Sequence, residues 1–146
     1  MNLPHYNSTT ADFKEYEFLS VGPKGKIKKL VSFTKFHDDP VMYNLAFGDA
    51  DPDTGLINDL VTSNNNDRDI VLATVANTIN KFCDHYGDHL IFATESTPAR
   101  TRLYQMAINK LLEEIKLDFN IYGIINGEIL EFNHNVIYES FLVKRK

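Results

Sequence analysis

The order of strand-type and helix-type hydrophobic patterns constrains the fold of this chain more strongly than any short motif. Strand patterns cover residues 16–21, 27–36, 41–48 and 56–62, and short turns rich in Gly, Pro or Asp separate them. Consecutive strands joined by short turns favour an antiparallel meander. The first part of the chain is therefore predicted to form four neighbouring strands.

Two helical patterns follow, with a short apolar strand at residues 89–94 between them. The first predicted helix has Asp69 in its opening turn and ends at Gly87. The second is predicted to begin at Pro98 with Thr97 as its N-cap, because a residue before proline is disfavoured in the helical region. The predicted buried faces are Val71, Leu72, Val75, Ile79, Phe82, Cys83 and Tyr86 in the first helix, and Leu103, Ala107, Ile108, Leu111, Leu112 and Ile115 in the second.

Three more strand patterns close the chain at residues 119–125, 129–132 and 138–143, and Asn126-Gly127 is typical of a hairpin turn between the first two. The predicted order is ββββ-α-β-α-βββ. This order indicates an α+β fold, with a mostly antiparallel sheet and two helices packed on it. A length of 146 residues fits one domain, predicted to span residues 1–146.

Composition and charge exclude several classes of protein. Hydrophobic residues make up 43% of the chain and charged residues 24%, which is an ordinary globular balance. No apolar run reaches the roughly 20 residues of a membrane helix, and the N-terminus lacks a signal-peptide pattern. We therefore expect a cytoplasmic protein without a membrane partner. The net charge of −5 disfavours nucleic acid as a partner.

The strongest candidate site runs from Thr94 to Tyr104. Arg100 and Arg102 fall in the predicted first turn of the second helix, where cations oppose the helix dipole. A helix start with nearby hydroxyl groups binds anions readily, so we predict that an anionic ligand or protein partner docks there. Alternatively, Glu95 or a carboxylate from another loop neutralises the arginines. The predicted ligand-binding residues are Ser96, Thr97, Arg100, Arg102 and Tyr104.

Two other segments contain residues of the types that bind metal ions, but their spacing does not match a metal site. Aspartates alternate within residues 49–53, as in a calcium loop, but Gly55 falls one place late and Leu60 occupies the twelfth position. Residues 83–89 contain one cysteine and two histidines, but Gly87 is predicted to end the helix between the histidines. A solvated hairpin turn is the better interpretation of the first segment, and a buried cysteine with surface histidines is the better interpretation of the second. No metal and no cofactor is predicted.

The remaining patterns indicate no reaction. Four lysines at positions 24, 26, 28 and 29 are interpreted as a solvated turn that guards an edge strand. The sequence contains no GxSxG, GxGxxG, GxxxxGK[ST] or HExxH motif. The commonest hydrolase, dinucleotide-binding, P-loop and zinc-protease interpretations are therefore excluded. The balance favours a protein that is not an enzyme.

Several segments together resemble an uncharacterised family of small bacterial proteins, a domain of unknown function. The resemblance spans most of the chain and implies no activity. The segments are GPKG at residues 22–25, YNLAFGD at 43–49, SNNND at 63–67, ARTRLY at 99–104 and YESFLV at 138–143.

A second resemblance concerns the order of elements between residue 16 and about residue 125, which is similar to the core of the GNAT acyltransferases. In that family a strand–helix–strand–helix succession splays open to hold acyl-CoA, and a late helix often carries a tyrosine as general acid. Tyr104 lies at a comparable place. The family's glycine-containing pyrophosphate loop is replaced here by residues 64–68, which contain no glycine.

The leading hypothesis is a non-catalytic binding or interaction domain whose functional surface is the start of the second helix. The alternative is a degenerate or active GNAT-like acyltransferase that binds acyl-CoA, with Tyr104 as the acid. A third hypothesis is a homo-oligomer, such as a homodimer, that uses residues 138–143 as an exposed strand edge.

Overall fold

The protein is an α+β fold in which one sheet carries two helices. The computed structural model describes residues 1–58, 64–95 and 97–146. Within these residues, eight strands form one sheet in the order β1-β2-β3-β4-β5-β8-β6-β7. All neighbouring strands are antiparallel except β4 and β5. The elements are β1 (Thr9–Thr10), β2 (Glu15–Gly22), β3 (Gly25–Asp38), β4 (Val41–Asp49), α1 (Arg68–Tyr86), β5 (Leu90–Ala93), α2 (Pro98–Asp118), β6 (Phe119–Ile125), β7 (Glu128–Glu131) and β8 (Ser140–Arg145).

The predicted order ββββ-α-β-α-βββ is confirmed, but the first four strands are not the four that the sequence predicted. The structure adds β1, a two-residue strand too short to show an alternating pattern. The predicted strand at residues 56–62 lies partly outside the described residues. In its described part, Ile57 forms only an isolated bridge with Ala50. The meander is therefore β2-β3-β4, with β1 on its outer side.

The core lies between the helices and one face of the sheet. The apolar stripe of α1 is confirmed, because Val71, Val75, Ile79, Phe82 and Cys83 are all buried. Alternate strand residues meet this stripe, as their period of two requires. They include Tyr16, Phe18, Val31, Phe33, Tyr43, Leu45 and Ile91.

The second helix buries a narrower stripe than predicted. Ala107, Ile108 and Ile115 are buried, whereas Leu103 is 40% exposed. Thr97 is confirmed as the N-cap, since its Oγ1 accepts a hydrogen bond from the backbone N–H of Arg100 at 3.2 Å. Leu103 instead lies beside a cleft that the start of α1 also lines.

The segment that leads into α1 is fixed by a buried hydrogen-bond network. The Asn65 side-chain NH₂ donates to Ser20 Oγ at 3.2 Å and to the Gly25 carbonyl at 2.9 Å. The Asp67 carboxylate accepts hydrogen bonds from Tyr6 at 2.6 Å and from Ser20. Because buried polar groups are costly unless they are paired, this network holds the start of α1 against the β2–β3 hairpin. Neither helix of the described chain is long and apolar enough to cross a membrane.

Candidate functional site

A cleft of about 240 Å³ lies where the first turns of α1 and α2 approach each other. Three of its lining residues are cationic: Lys29 from β3, Arg68 from α1 and Arg100 from α2. The segment before α1 contributes Asn65 and Asp67. Cationic side chains from three separate elements of the fold therefore line the cleft, together with the carboxylate of Asp67.

The residues predicted from the sequence are distributed around this cleft unevenly. Arg100 and Tyr104 line it, whereas Arg102 is exposed and is not among its lining residues. Thr97 lies at the start of α2, where its hydroxyl oxygen serves as the helix cap. Ser96 lies outside the described residues. The ligand-binding role of all five stays a prediction.

Arg68 is a lining residue that the sequence analysis missed. It is the first residue of α1 and is half-buried, and its side chain makes no hydrogen bond or ion pair with any residue that the structure describes. The signal that could have identified it is the one that pointed to Arg100, namely a cation in the first turn of a helix, where the dipole disfavours positive charge. The two helix starts thus present the same unfavourable feature to the same cleft.

Lys29 and Asp49 form a buried ion pair at the cleft, and their side chains are 3% and 9% exposed. They face each other directly across β3 and β4. The interpretation of Lys29 as part of a solvated cluster is therefore wrong. Its position alternates in step with Val31 and Phe33, so the strand pattern already placed it on the inward face. A buried charge of this kind requires a partner, which Asp49 supplies.

Tyr104 occupies the boundary between this cleft and a second cavity. Its ring packs edge-on against Phe47, with 4.6 Å between ring centroids. Its hydroxyl makes no hydrogen bond with a described residue. Burial raises the pKa of Tyr104, as does the negative charge of Glu95, while Arg68 and Arg100 oppose the shift. The phenol is therefore protonated at neutral pH and can donate a hydrogen bond.

The second cavity is an apolar crevice of about 80 Å³ between the two helices and the sheet. β4 and β5 pair only from Met42–Leu90 to Leu45–Ala93, and β4 then continues without β5 as far as Asp49. The crevice lies where this pairing stops. Its walls include Leu45, Phe47, Leu72, Ala76, Ala93 and Ile108.

The segments with metal-ligand chemistry have other structural roles. The Asp51 carboxylate accepts hydrogen bonds from the backbone N–H groups of Asp53 and Thr54, at 2.8 and 3.1 Å, which makes this segment a hydrogen-bonded turn. Cys83 is buried in α1, and burial raises the pKa of its thiol to about 11. The His85 ring stacks on the Phe13 ring, with 4.3 Å between the ring centroids. Among the residues that the structure describes, no three His, Cys, Asp or Glu side chains converge as metal ligands.

No curated protein and no solved structure matches the chain significantly. The similarity of its element order to GNAT acyltransferases stays an expectation from the sequence. Residues 2–146 match the model of a protein family that is described as "Family of unknown function (DUF6934)". This match confirms the predicted resemblance to an uncharacterised family, and it assigns no activity. The chain therefore belongs to the DUF6934 family of unknown function.

Proposed function

We propose that this protein is a binding domain that holds a small anion in the cleft between the starts of α1 and α2. One observation carries the proposal: Arg68 and Arg100, from two different helices, line the same cleft. Guanidinium groups form charge-assisted, often bidentate hydrogen bonds with carboxylate and phosphate groups. An anion between the two helix starts would offset the unfavourable placement of Arg68 and could also contact Arg100.

The charges around the cleft support this assignment. Lys29 is neutralised by its ion pair with Asp49. The Asp67 carboxylate, which accepts hydrogen bonds from Tyr6 and Ser20, is one negative group against the two arginines among the residues that line the cleft. The positive ends of two helix dipoles add to the field of the arginines. The cleft is thus suited to a ligand of negative charge.

The single cysteine of the chain, Cys83, is poorly placed to act as a nucleophile on a ligand in the cleft, which agrees with binding without a reaction. Cys83 lies 15 residues after Arg68 on α1, which corresponds to about 22 Å along the helix axis. Its raised pKa of about 11 keeps the thiol protonated and therefore weakly nucleophilic at neutral pH. Neither property suits a nucleophile that acts on a ligand in the cleft.

Titration with inorganic phosphate and sulfate, followed by NMR, tests the proposal. We expect Arg68→Gln and Arg100→Gln each to weaken binding roughly tenfold or more, because a hydrogen bond to a charged group contributes about 1.5–3 kcal/mol. Arg102→Gln is the matched control, since Arg102 is exposed and lies outside the cleft lining. Melting curves of each variant verify folding. The proposal fails if the parent binds neither anion, or if the control weakens binding as much as the other two variants.

Acyl transfer is a second candidate function, supported by the divergence of β4 from β5 beside Tyr104. In GNAT acyltransferases a comparable opening holds acyl-CoA and a tyrosine protonates the departing thiolate. Burial keeps the Tyr104 phenol protonated at neutral pH, as a proton donor requires, although the raised pKa makes it a weaker acid than a free tyrosine. We expect millimolar acetyl-CoA to raise the melting temperature of the parent, since a ligand that binds the native state stabilises it. No shift in melting temperature rejects this candidate.

A further inference from the structure

We infer that the ligand of the cleft is an anion with a short apolar chain, which passes Tyr104 and enters the crevice between the helices and the sheet. This inference rests on the proposed anion site and adds the chemical class of the ligand. It starts from one observation: Tyr104 lines both the cationic cleft and the apolar crevice. The two cavities are therefore neighbours that differ sharply in polarity.

The cleft side of Tyr104 supplies the contacts that an anionic head group needs. The Arg68 side chain makes no hydrogen bond or ion pair with a described residue, so its guanidinium can donate to a ligand without breaking a contact within the described chain. The Tyr104 hydroxyl can donate a further hydrogen bond to an oxygen of the head group. A carboxylate and a phosphate both have this acceptor chemistry.

The crevice side of Tyr104 suits an apolar chain. Leu72 and Ala76 of α1, Ala93 of β5 and Ile108 of α2 contribute to its walls. An apolar cavity has no partners for water, so it is dry or takes an apolar group. Filling it with carbon atoms restores dispersion contacts that the wall otherwise lacks.

The volume of the crevice limits the length of the chain. The volume of the crevice is about 80 Å³. An engineered protein cavity that binds benzene has a volume of about 150 Å³, nearly twice as large. The crevice therefore has room for about three or four carbon atoms. A bulky or aromatic group would not fit without displacing the walls, which resist expansion because protein interiors are close-packed.

The mouth of the crevice fixes the orientation of the ligand. Glu95 and Thr94 line the crevice together with Tyr104, and the negative charge of Glu95 acts on Tyr104. The carboxylate of Glu95 repels an anionic head group, whereas Arg68 and Arg100 in the cleft attract it. The head group consequently stays on the cleft side, and the chain points inward.

A chain-length series tests the inference. Acetate, propionate and butyrate are titrated into the parent by NMR, with methyl phosphate and butyl phosphate as a second series that distinguishes the two head groups. We expect affinity to rise about fourfold with each added CH₂ group, the value for transfer of one methylene out of water. Butyrate should also show nuclear Overhauser contacts from its methyl group to the Ala93 methyl group.

The variant Ala93→Leu places three more carbon atoms in the crevice, and Ala99→Leu is the control because Ala99 is exposed on α2. Ala93→Leu should still bind inorganic phosphate but should lose the dependence on chain length, whereas the control should keep it. Equal affinities along both series, or no contact between butyrate and Ala93, would overturn the inference and leave the anion site intact. Failure of every anion to bind overturns the proposed function itself.

Discussion

Lys29 and Asp49 carry opposite charges, and both side chains are almost completely buried. Their side chains are 3% and 9% exposed, and they meet across adjacent strands at the cleft. Transfer of two charges out of water is costly, and their mutual attraction compensates only while both are present. Removal of one member of the pair should therefore destabilise the fold more than removal of both.

We expect Lys29→Met to lower the free energy of unfolding by about 3–5 kcal/mol, because it leaves the Asp49 charge buried without its lysine. The double variant Lys29→Met, Asp49→Leu should regain part of this loss. Lys28→Met is the control, since its ion pair with Glu17 is half exposed and should change stability by about 0–1 kcal/mol. Urea denaturation measures all three. A loss in Lys29→Met no larger than in the control would contradict the buried pair.

At the scale of elements, the β2–β3 hairpin holds the segment that begins α1. The Asn65 Oδ1 atom accepts a hydrogen bond from the Lys24 backbone N–H at 2.7 Å. Gly22 allows this approach, because a Cβ atom there would lie 2.1 Å from the Asn65 carbonyl oxygen. The position of Arg68 in the cleft thus depends on a glycine in a different element.

Gly22→Ala should displace the segment before α1 and weaken phosphate binding, besides lowering stability by about 1–3 kcal/mol. Gly55→Ala is the control, because Gly55 lies in a turn away from Asn65. Gly55 has a φ of +72° with nothing within 4 Å of the added Cβ, so its substitution costs about 1–2 kcal/mol of backbone strain without a clash. Thermal unfolding and phosphate titration measure both variants. Equal losses of binding would show that backbone strain alone, and not contact with Asn65, explains the effect.

The helices and most strands could be predicted because their signals are local. Pro98 and Thr97 mark the start of α2 through their own backbone preferences, and the stripe of α1 repeats along a single helix. The inward position of Lys29 was also present in the two-residue alternation of β3, although it was assigned to a solvated cluster. These features depend on residues that are neighbours in the chain.

The meeting of Arg68 with Arg100 could not be predicted, because it depends on how distant elements pack. The two residues are brought together by the parallel pairing of β4 with β5, which sets α1 and α2 side by side. Local periodicity does not specify which strands pair. The sequence analysis therefore identified the cleft residue Arg100 at the start of α2 but missed Arg68 at the start of α1.

At the scale of the whole molecule, the ends of the sheet determine where the chain could associate with another. The sequence predicted residues 138–143 as an exposed edge, but β8 pairs with β5 on one side and with β6 on the other. That expectation is wrong because the last strand inserts into the middle of the sheet. Among the described strands, β7 forms the edge on that side, and a homodimer stays a prediction.

The sequence of β7 opposes pairing with a second copy of itself. Ile129 and Leu130 are 53% and 41% exposed, and Glu128 and Glu131 flank them. In an antiparallel pair centred on the two apolar residues, each glutamate would face a glutamate of the other copy, and like charges directly opposite are destabilising. Charged residues at such positions are a common protection of edge strands.

Replacement of both glutamates by valine should therefore make the protein associate through β7. We expect sedimentation velocity to show a concentration-dependent shift to dimers or larger species for Glu128→Val, Glu131→Val, since the variant presents four exposed apolar residues with high β propensity and no charge. Asp53→Val, Glu113→Val removes the same two charges from exposed positions outside the sheet edge and should sediment like the parent. If both double variants associate equally, the loss of net negative charge drives association. If neither does, the exposed edge of β7 is protected by something other than its glutamates.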